Sequence, residues 1–192
     1  MEPVVAFDVE LSGPKTLATE RKPTASDVGT ATHLVLQHLD FSRACDEGDL
    51  RVQLERMVQR RLITAAAAKA VDLGAVCWVA GSEIGKLMRE SSGGVLREVP
   101  VYFARDPVGA TVASDMDRVM IRSRLDVLVK SGRGYEIVDY KTDRVSADTL
   151  GQRVEFYRWQ MELYREALVA LVGEAPVAIH LAFLHARKVI TL

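Results

Sequence analysis

The sequence has little cysteine, few aromatic residues and almost no net charge. Its 192 residues include two cysteines, Cys45 and Cys77, 6% aromatic residues and a formal net charge of −1. Two thiols cannot supply the four thiolates that an iron–sulfur cluster or an all-cysteine zinc site needs. We therefore predict reduced cysteines, no iron–sulfur cluster and no zinc site in this chain.

Long apolar runs are also missing. No stretch approaches the roughly 20 apolar residues of a membrane span, and Met1-Glu2-Pro3 lacks the basic-then-apolar start of a signal peptide. These absences predict a cytoplasmic protein without membrane contact. The segment 81–87 has the outline of a phosphate-binding loop, but Ala80 replaces its first glycine and Leu87 replaces the hydroxyl residue that binds Mg²⁺. We predict no ATP site in this chain.

The near-neutral charge does not by itself indicate a nucleic-acid binder. Its distribution is uneven, because Asp117 to Arg158 holds nine Lys and Arg against seven Asp and Glu. If two of those acids bind a metal ion, the segment becomes more basic toward a phosphate backbone than its formal charge. Arg122 and Arg124 are the candidate DNA contacts, and a mixed solvated surface is the alternative interpretation.

Apolar periodicity divides the chain into a helical first half and a sheet-bearing second half. Residues 1–27 carry three prolines and no clean period, which predicts a tail or linker, and 28–192 are predicted to form one domain. The predicted helices are one beginning after Thr30, one over Asp49–Ile63, one from a Thr64 cap to Trp78, one capped by Ser82 and one over Asp148–Val172. The predicted strands are Val95–Ala104, Val119–Lys130, Tyr135–Thr142, Val177–Phe183 and Lys188–Leu192.

Two neighbouring strands carry residues typical of metal chemistry. The turn signal Ser131-Gly132-Arg133-Gly134 separates them, so they should pair as a hairpin. Alternation along a strand puts Asp139 and Lys141 on one face, and pairing can bring Asp126 beside them. Carboxylates are the hard ligands that Mg²⁺ prefers, and the Tyr140 carbonyl is a plausible further ligand. With Lys141 to orient water or stabilise charge on phosphorus, the pattern predicts a metal-dependent phosphodiesterase.

Several of these residues have a simpler interpretation. The pattern Asp/Glu-x-Lys also arises by accident, as in Glu20-Arg21-Lys22, where a solvated ion pair is the expected alternative. His33 can be a capping or half-buried core histidine. Glu98 is either a supporting contact near the metal or an edge-strand charge beside a proline.

The last predicted helix carries a polar stripe. Tyr157, Gln160 and Tyr164 lie at positions i, i+3 and i+7, which is one face of a helix. A core stripe would be apolar throughout, so Gln160 between two tyrosines indicates a face directed at a site and at DNA. A domain that only binds other proteins would leave this stripe unexplained.

Four separated motifs stand in order along the chain. They are Gly29-Thr30-x-x-His33, Asp126 after a strand, Asp139-Tyr140-Lys141-Thr142-Asp143, and Gln160-x-x-x-Tyr164. In these motifs, from about Gly29 to Leu192, the chain resembles the PD-(D/E)XK nucleases of the RecB type, and among them the carboxy-terminal nuclease domains of AddA helicase–nuclease subunits. The resemblance implies an α/β, restriction-endonuclease-like core: a central mixed sheet flanked by helices, with an amino-terminal helical elaboration.

The resemblance also implies an activity. The implied site residues are His33, Asp126 and Asp139 as metal ligands, Lys141 as the catalytic lysine, and Gln160 and Tyr164 near the DNA. The implied reaction is Mg²⁺- or Mn²⁺-dependent cleavage of DNA, as an exonuclease on single strands fed by a helicase motor of the same parent protein. A partner subunit in double-strand-break repair is implied as well. The alternative is a nuclease-like fold that binds DNA or a partner without cutting, and such versions lose the acids or the lysine.

Overall fold

A computed structural model of the protein describes residues 23–106 and 118–192. The helices are α1 (Ala25–His38), α2 (Glu47–Gln59), α3 (Ala65–Ala70), α4 (Leu73–Gly81), α5 (Glu83–Glu90) and α6 (Leu150–Val172). The strands are β1 (Val95–Arg105), β2 (Val119–Ser131), β3 (Gly134–Lys141), β4 (Ala178–Phe183) and β5 (Lys188–Thr191). Within these two ranges, no helix combines the length and the apolar character needed to cross a bilayer.

The strands form one mixed sheet in the order β1-β2-β3-β4-β5. Every neighbouring pair is antiparallel except β3 and β4, which run parallel and are joined by α6. The β2–β3 hairpin closes at Ser131 opposite Gly134, as its turn signal predicted. The predicted fold class, a central mixed sheet flanked by helices, is confirmed.

The sheet separates two hydrophobic cores. Residues of α1, α2, α4 and α5 pack with Val138 and Tyr140 of β3 in the first core. Residues of α6 pack with Ile137 of the same strand in the second core. This is the alternation expected of a strand that is buried on both faces. Strand β3, which carries Asp139 and Lys141, therefore lies in the interior of the molecule.

Strand β1 changes faces at Glu98. Val95 packs against the first core, whereas Val99 and Val101 belong to the second. Residues two and four apart on a regular strand would share a face, so an irregularity must lie between them. Glu98 supplies it with a φ of 53°, a left-handed conformation that is uncommon for a residue other than glycine.

Helix α1 begins earlier than the sequence analysis predicted. Thr24 and Asp27 form a reciprocal capping box, in which the Asp27 amide donates to Thr24 Oγ1 at 3.2 Å and the Thr24 amide donates to Asp27 Oδ2 at 2.8 Å. The predicted start after Thr30 was therefore wrong. Residues 25–27, counted with the tail, belong to α1, residues 1–22 lie outside the described residues, and the tail itself stays a prediction.

The predicted helix from Thr64 to Trp78 is two helices. Thr64 does cap α3, and its Oγ1 accepts from the Ala67 amide at 3.1 Å. The chain then turns extended at Val71, and Asp72 starts α4 by accepting from the Ala75 amide at 3.1 Å. Aspartate competes for backbone amides at a helix start, which explains the break. Ser82 caps α5, as predicted.

Candidate active site

The candidate site lies where β2 and β3 separate. Their pairing ends at Val127 opposite Val138, so the next residue of β2, Asp126, leaves the ladder. The Tyr140 amide donates to Asp126 Oδ2 at 2.7 Å, and the Asp126 side chain thereby replaces a missing strand partner. Its other oxygen, Oδ1, lies 3.4 Å from Nδ1 of His33 on α1.

Two contacts hold α1 against this end of the sheet. The Arg97 guanidinium on β1 donates to the carbonyl oxygens of Gln37 at 2.8 Å and Leu39 at 2.7 Å, which satisfies the C-terminal end of α1. Near the other end of α1, a Cβ on Gly29 would lie 2.9 Å from Oγ1 of Thr142, just after β3. Glycine therefore allows the close approach that brings His33 over the strands.

Asp139 and Lys141 form a buried ion pair. Lys141 Nζ lies 2.7 Å from Asp139 Oδ2 and donates to Gln160 Oε1 at 2.9 Å, while the Tyr157 ring centre lies 3.8 Å away. Asp139 is 2% exposed and Lys141 is 8% exposed, so the ammonium is held in one position. The structure brings together the two residues that strand alternation put on one face.

Helix α6 presents its polar stripe to these residues. Gln160 Nε2 donates to the Tyr164 hydroxyl at 2.5 Å and lies 3.5 Å from Asp139 Oδ1. The Tyr164 hydroxyl in turn has two acceptors, Asp139 Oδ1 at 3.2 Å and the Arg124 carbonyl at 3.1 Å. Gln160 and Tyr164 thus tie α6 to β2 and β3 at the carboxylates.

The environment shifts the acid–base properties of the site. Burial, together with the charge of Asp126, raises the pKa of Asp139 to about 6 although Lys141 opposes the shift. Burial and the same carboxylates raise the pKa of Tyr164, so its phenol stays a neutral donor. Burial lowers the pKa of His33, but the hydrogen bond and charge of Asp126 outweigh it, and the net pKa is raised.

The donor atoms fit a divalent metal ion. One ligand atom each from His33, Glu98 and Asp126 lie within 4.8 Å of one another. Asp139 Oδ2 is buried, and no described donor gives it a well-aligned hydrogen bond. Carboxylate oxygens with one imidazole suit Mn²⁺ and Mg²⁺. The Tyr140 side chain packs in the first core, with its hydroxyl 3.5 Å from Met88 Sδ, so only its main chain can serve the site.

Glu98 belongs to the site by position. The register of β1 and β2 puts it opposite Asp126, and its left-handed φ coincides with the ligand cluster. Its carboxylate also accepts from Arg124 Nη1 at 3.2 Å. Of the two interpretations left open by the sequence, the contact near the metal position fits this geometry, because backbone strain of this kind is retained where surrounding structure imposes it.

A cleft of about 950 Å³ opens beside the ligand cluster. Its lining includes Arg124, Arg144 and Arg153, of which the sequence analysis singled out only Arg124. Arg122 is missing from the described residues that line the cleft, and its guanidinium lies 5.6 Å above the Tyr102 ring instead. The DNA contacts assigned to Arg122 and Arg124 stay predictions.

Comparisons with known proteins agree with this geometry. A model of the PD-(D/E)XK nuclease superfamily matches residues 8–190. An ATP-dependent helicase/nuclease subunit from Geobacillus thermodenitrificans is 32% identical over 169 residues, which are 83% of this chain and 13% of that protein. A protein of the same name from Alkaliphilus oremlandii is 33% identical over 175 residues, which are 88% of this chain and 14% of that protein.

The chain therefore spans about one-seventh of the length of these curated relatives. The match to the superfamily model covers nearly all of the chain, and the relatives are the helicase–nuclease subunits that the four motifs indicated. The resemblance stated from the sequence is confirmed: this chain belongs to the PD-(D/E)XK nuclease superfamily.

Proposed function

We propose that this domain is a Mg²⁺- or Mn²⁺-dependent deoxyribonuclease that hydrolyses DNA phosphodiester bonds. The observation that supports it best is the convergence of His33, Asp126 and Asp139 beside the buried ammonium of Lys141. A structural ion pair alone would not require an imidazole and a second carboxylate at the same point.

The ligands proposed for the metal are His33, Asp126, Asp139 and the Tyr140 carbonyl. A bound divalent cation would supply Lewis acidity and lower the pKa of a water molecule. Asp126 is oriented for this task by the Tyr140 amide, which fixes one of its oxygens and leaves the other toward His33. The raised pKa of Asp139 indicates a carboxylate that gains from a cation, because burial disfavours its charge.

Lys141 is the proposed catalytic residue. Its ammonium is fixed by Asp139 and by Gln160 Oε1, and a preoriented cation needs no reorganisation when charge develops on phosphorus. Gln160 and Tyr164 are proposed to position Lys141 and Asp139, and Tyr157 lies at the edge of the same pocket. Gln160 is the link between them, since its oxygen accepts from the lysine and its nitrogen faces Asp139.

The wider context is also a proposal, supported by the names of the relatives. We propose that residues 28–192 are the nuclease domain of a longer helicase–nuclease, and that the preceding residues tether it to the motor. The motor would feed single strands to an exonuclease site, together with a partner subunit, in cytoplasmic double-strand-break repair. The second candidate function, a module that binds DNA or a partner without cutting, is disfavoured because Asp126, Asp139 and Lys141 are all in place.

The test combines metal binding with cleavage. Calorimetry should detect Mn²⁺ binding, and an end-labelled single strand should be degraded with Mg²⁺ or Mn²⁺ but not with EDTA. A structure soaked in Mn²⁺ should show the ion between Asp126 and Asp139. Metal binding without any cleavage in long incubations would support the non-cutting module instead.

A further inference from the structure

Helix α6 carries an unusually exposed aromatic ring beside the site. Phe156 is 68% exposed, although it is among the most apolar side chains of the domain. Its ring lies edge-on to Tyr157, with centroids 5.1 Å apart, and the Arg153 guanidinium lies 5.5 Å from its centre. These contacts fix the ring in place and leave most of its surface open to solvent.

The exposed ring is connected directly to the proposed catalytic lysine. Lys141 Nζ lies 3.8 Å from the Tyr157 ring centre, and Phe156 is the next ring outward. Arg153 lines the cleft that also contains Asp126. The distances from Lys141 to Tyr157 and from Tyr157 to Phe156 correspond to about three base steps of stacked DNA, at roughly 3.4 Å each. A strand cut at Lys141 would therefore pass within reach of Phe156.

The second exposed aromatic residue of this helix face is arranged differently. Trp159 is 57% exposed, but the Arg105 guanidinium covers its ring at 5.1 Å, and Arg105 also pairs with Glu166 at 3.4 Å. Trp159 is thus bound to β1, on the side of α6 away from the cleft arginines. Phe156 combines exposure with a position next to the cleft.

We propose that Phe156 stacks against a nucleobase of single-stranded DNA next to the scissile position, while Arg153 contacts the adjacent phosphate. The inference rests on the proposed function, and it specifies how that site holds an unpaired strand. A flat aromatic ring flanked by arginines matches the combination of stacking and phosphate contact used for single strands. Duplex DNA keeps its bases paired and stacked inside, so it cannot offer one to Phe156 without unstacking.

The test measures DNA affinity without cleavage. Fluorescence anisotropy in EDTA at low salt would use a labelled 12-nucleotide oligo-dT, a set of the same oligonucleotides with one abasic position each, and a blunt duplex. Phe156→Ala should weaken binding of the single strand by about 5-fold to 100-fold. Phe156→Leu should behave like Ala because it keeps apolar area without a ring face, and Phe156→Trp should restore affinity. Leu171→Ala, at an exposed position near the end of α6, is the matched control and should change nothing.

The abasic oligonucleotides locate the contact. At one abasic position the difference between the chain and its Phe156→Ala variant should disappear, since the stacking partner is already absent. Duplex affinity should be equal for both. Unchanged single-strand affinity in Phe156→Ala, full affinity in Phe156→Leu, or an equal loss on duplex would each overturn the proposal and indicate a protein-contact surface.

Cleavage by the unmodified chain, measured separately, keeps the two proposals distinguishable. If Mg²⁺ or Mn²⁺ supports cleavage while Phe156→Ala binds normally, only the stacking proposal fails. If no metal supports cleavage while Phe156→Ala loses single-strand affinity, stacking stands and the nuclease proposal fails.

Discussion

Replacing Lys141 with alanine should separate metal binding from turnover. The ammonium lies 2.7 Å from Asp139 and 2.9 Å from Gln160, whereas His33 and Asp126 contact each other without it. The change therefore removes a cation from the proposed ligand set and leaves its oxygen and nitrogen donors in place. Metal affinity should be retained or should rise, because a positive charge that competes with the metal is gone.

The expected loss of rate follows from the task assigned to Lys141. Removing one preoriented electrostatic group commonly lowers kcat by about 10² to 10³, or about 3 to 4 kcal/mol of barrier. The fold should survive without metal. Breaking a buried ion pair can cost about 3 to 5 kcal/mol, but Asp139, with its pKa already raised to about 6, can take up a proton and reduce that cost.

Three measurements check this prediction: Mn²⁺ calorimetry, single-turnover cleavage of a labelled strand, and thermal unfolding with and without metal. The matched control is Lys130→Ala, because Lys130 of β2 lies 5.4 Å from the Tyr135 ring but belongs to a different end of the sheet. The control should cleave normally. A collapse of metal affinity in Lys141→Ala would refute the reasoning and show that the lysine is structural and holds the carboxylates apart.

Three further predictions concern the ligands, the DNA affinity and acid stability. Asp126→Ala or Asp139→Ala should abolish metal-dependent cleavage in gel assays while circular dichroism stays native, because loss of a ligand removes the Lewis acid; near-normal cutting would contradict the assignment. The isolated domain should bind single strands weakly and with a shallow salt dependence, since its net charge is −1 and few arginines are uncompensated; sub-micromolar affinity at physiological salt would show that it recruits DNA by itself. A hydrogen bond from Arg43, followed by one from Gln53, lowers the pKa of Asp49 to about 2, so its stabilising effect should be full above about pH 4 and vanish as the pH falls through 2. Urea unfolding should therefore show Asp49→Asn to be less stable than the parent near pH 7 and increasingly similar in acid; a pH-independent difference would contradict this.

Local patterns in the sequence were sufficient to predict the hairpin and its chemistry. Alternation along β3 correctly put Asp139 and Lys141 on one face, and the Ser131–Gly134 turn gave the pairing that brings Asp126 near them. The helical spacing of the α6 stripe likewise brought Gln160 to the lysine. Such features need only a known element type, because side-chain direction then follows from the period.

Features that depend on long-range geometry were harder to predict. Nothing in the sequence around Glu98 indicates a left-handed φ in mid-strand, because that conformation is imposed by two strands and two cores at once. The cleft position of Arg144 and Arg153 depends on how α6 packs across the sheet. The start of α1 is different, since the capping box of Thr24 and Asp27 was readable and was missed.

The parallel pairing of β3 with β4 has a consequence for the nascent chain. When the ribosome has produced β3, the polypeptide already contains both carboxylates and the lysine, yet one edge of β3 is still unpaired. Pairing must wait until the whole of α6 and then β4 have been made, because a parallel neighbour needs a crossover connection. Contacts this distant in sequence also form slowly. The buried ion pair of Asp139 and Lys141 is therefore assembled among the last features of folding, and an unfinished chain is an inert one.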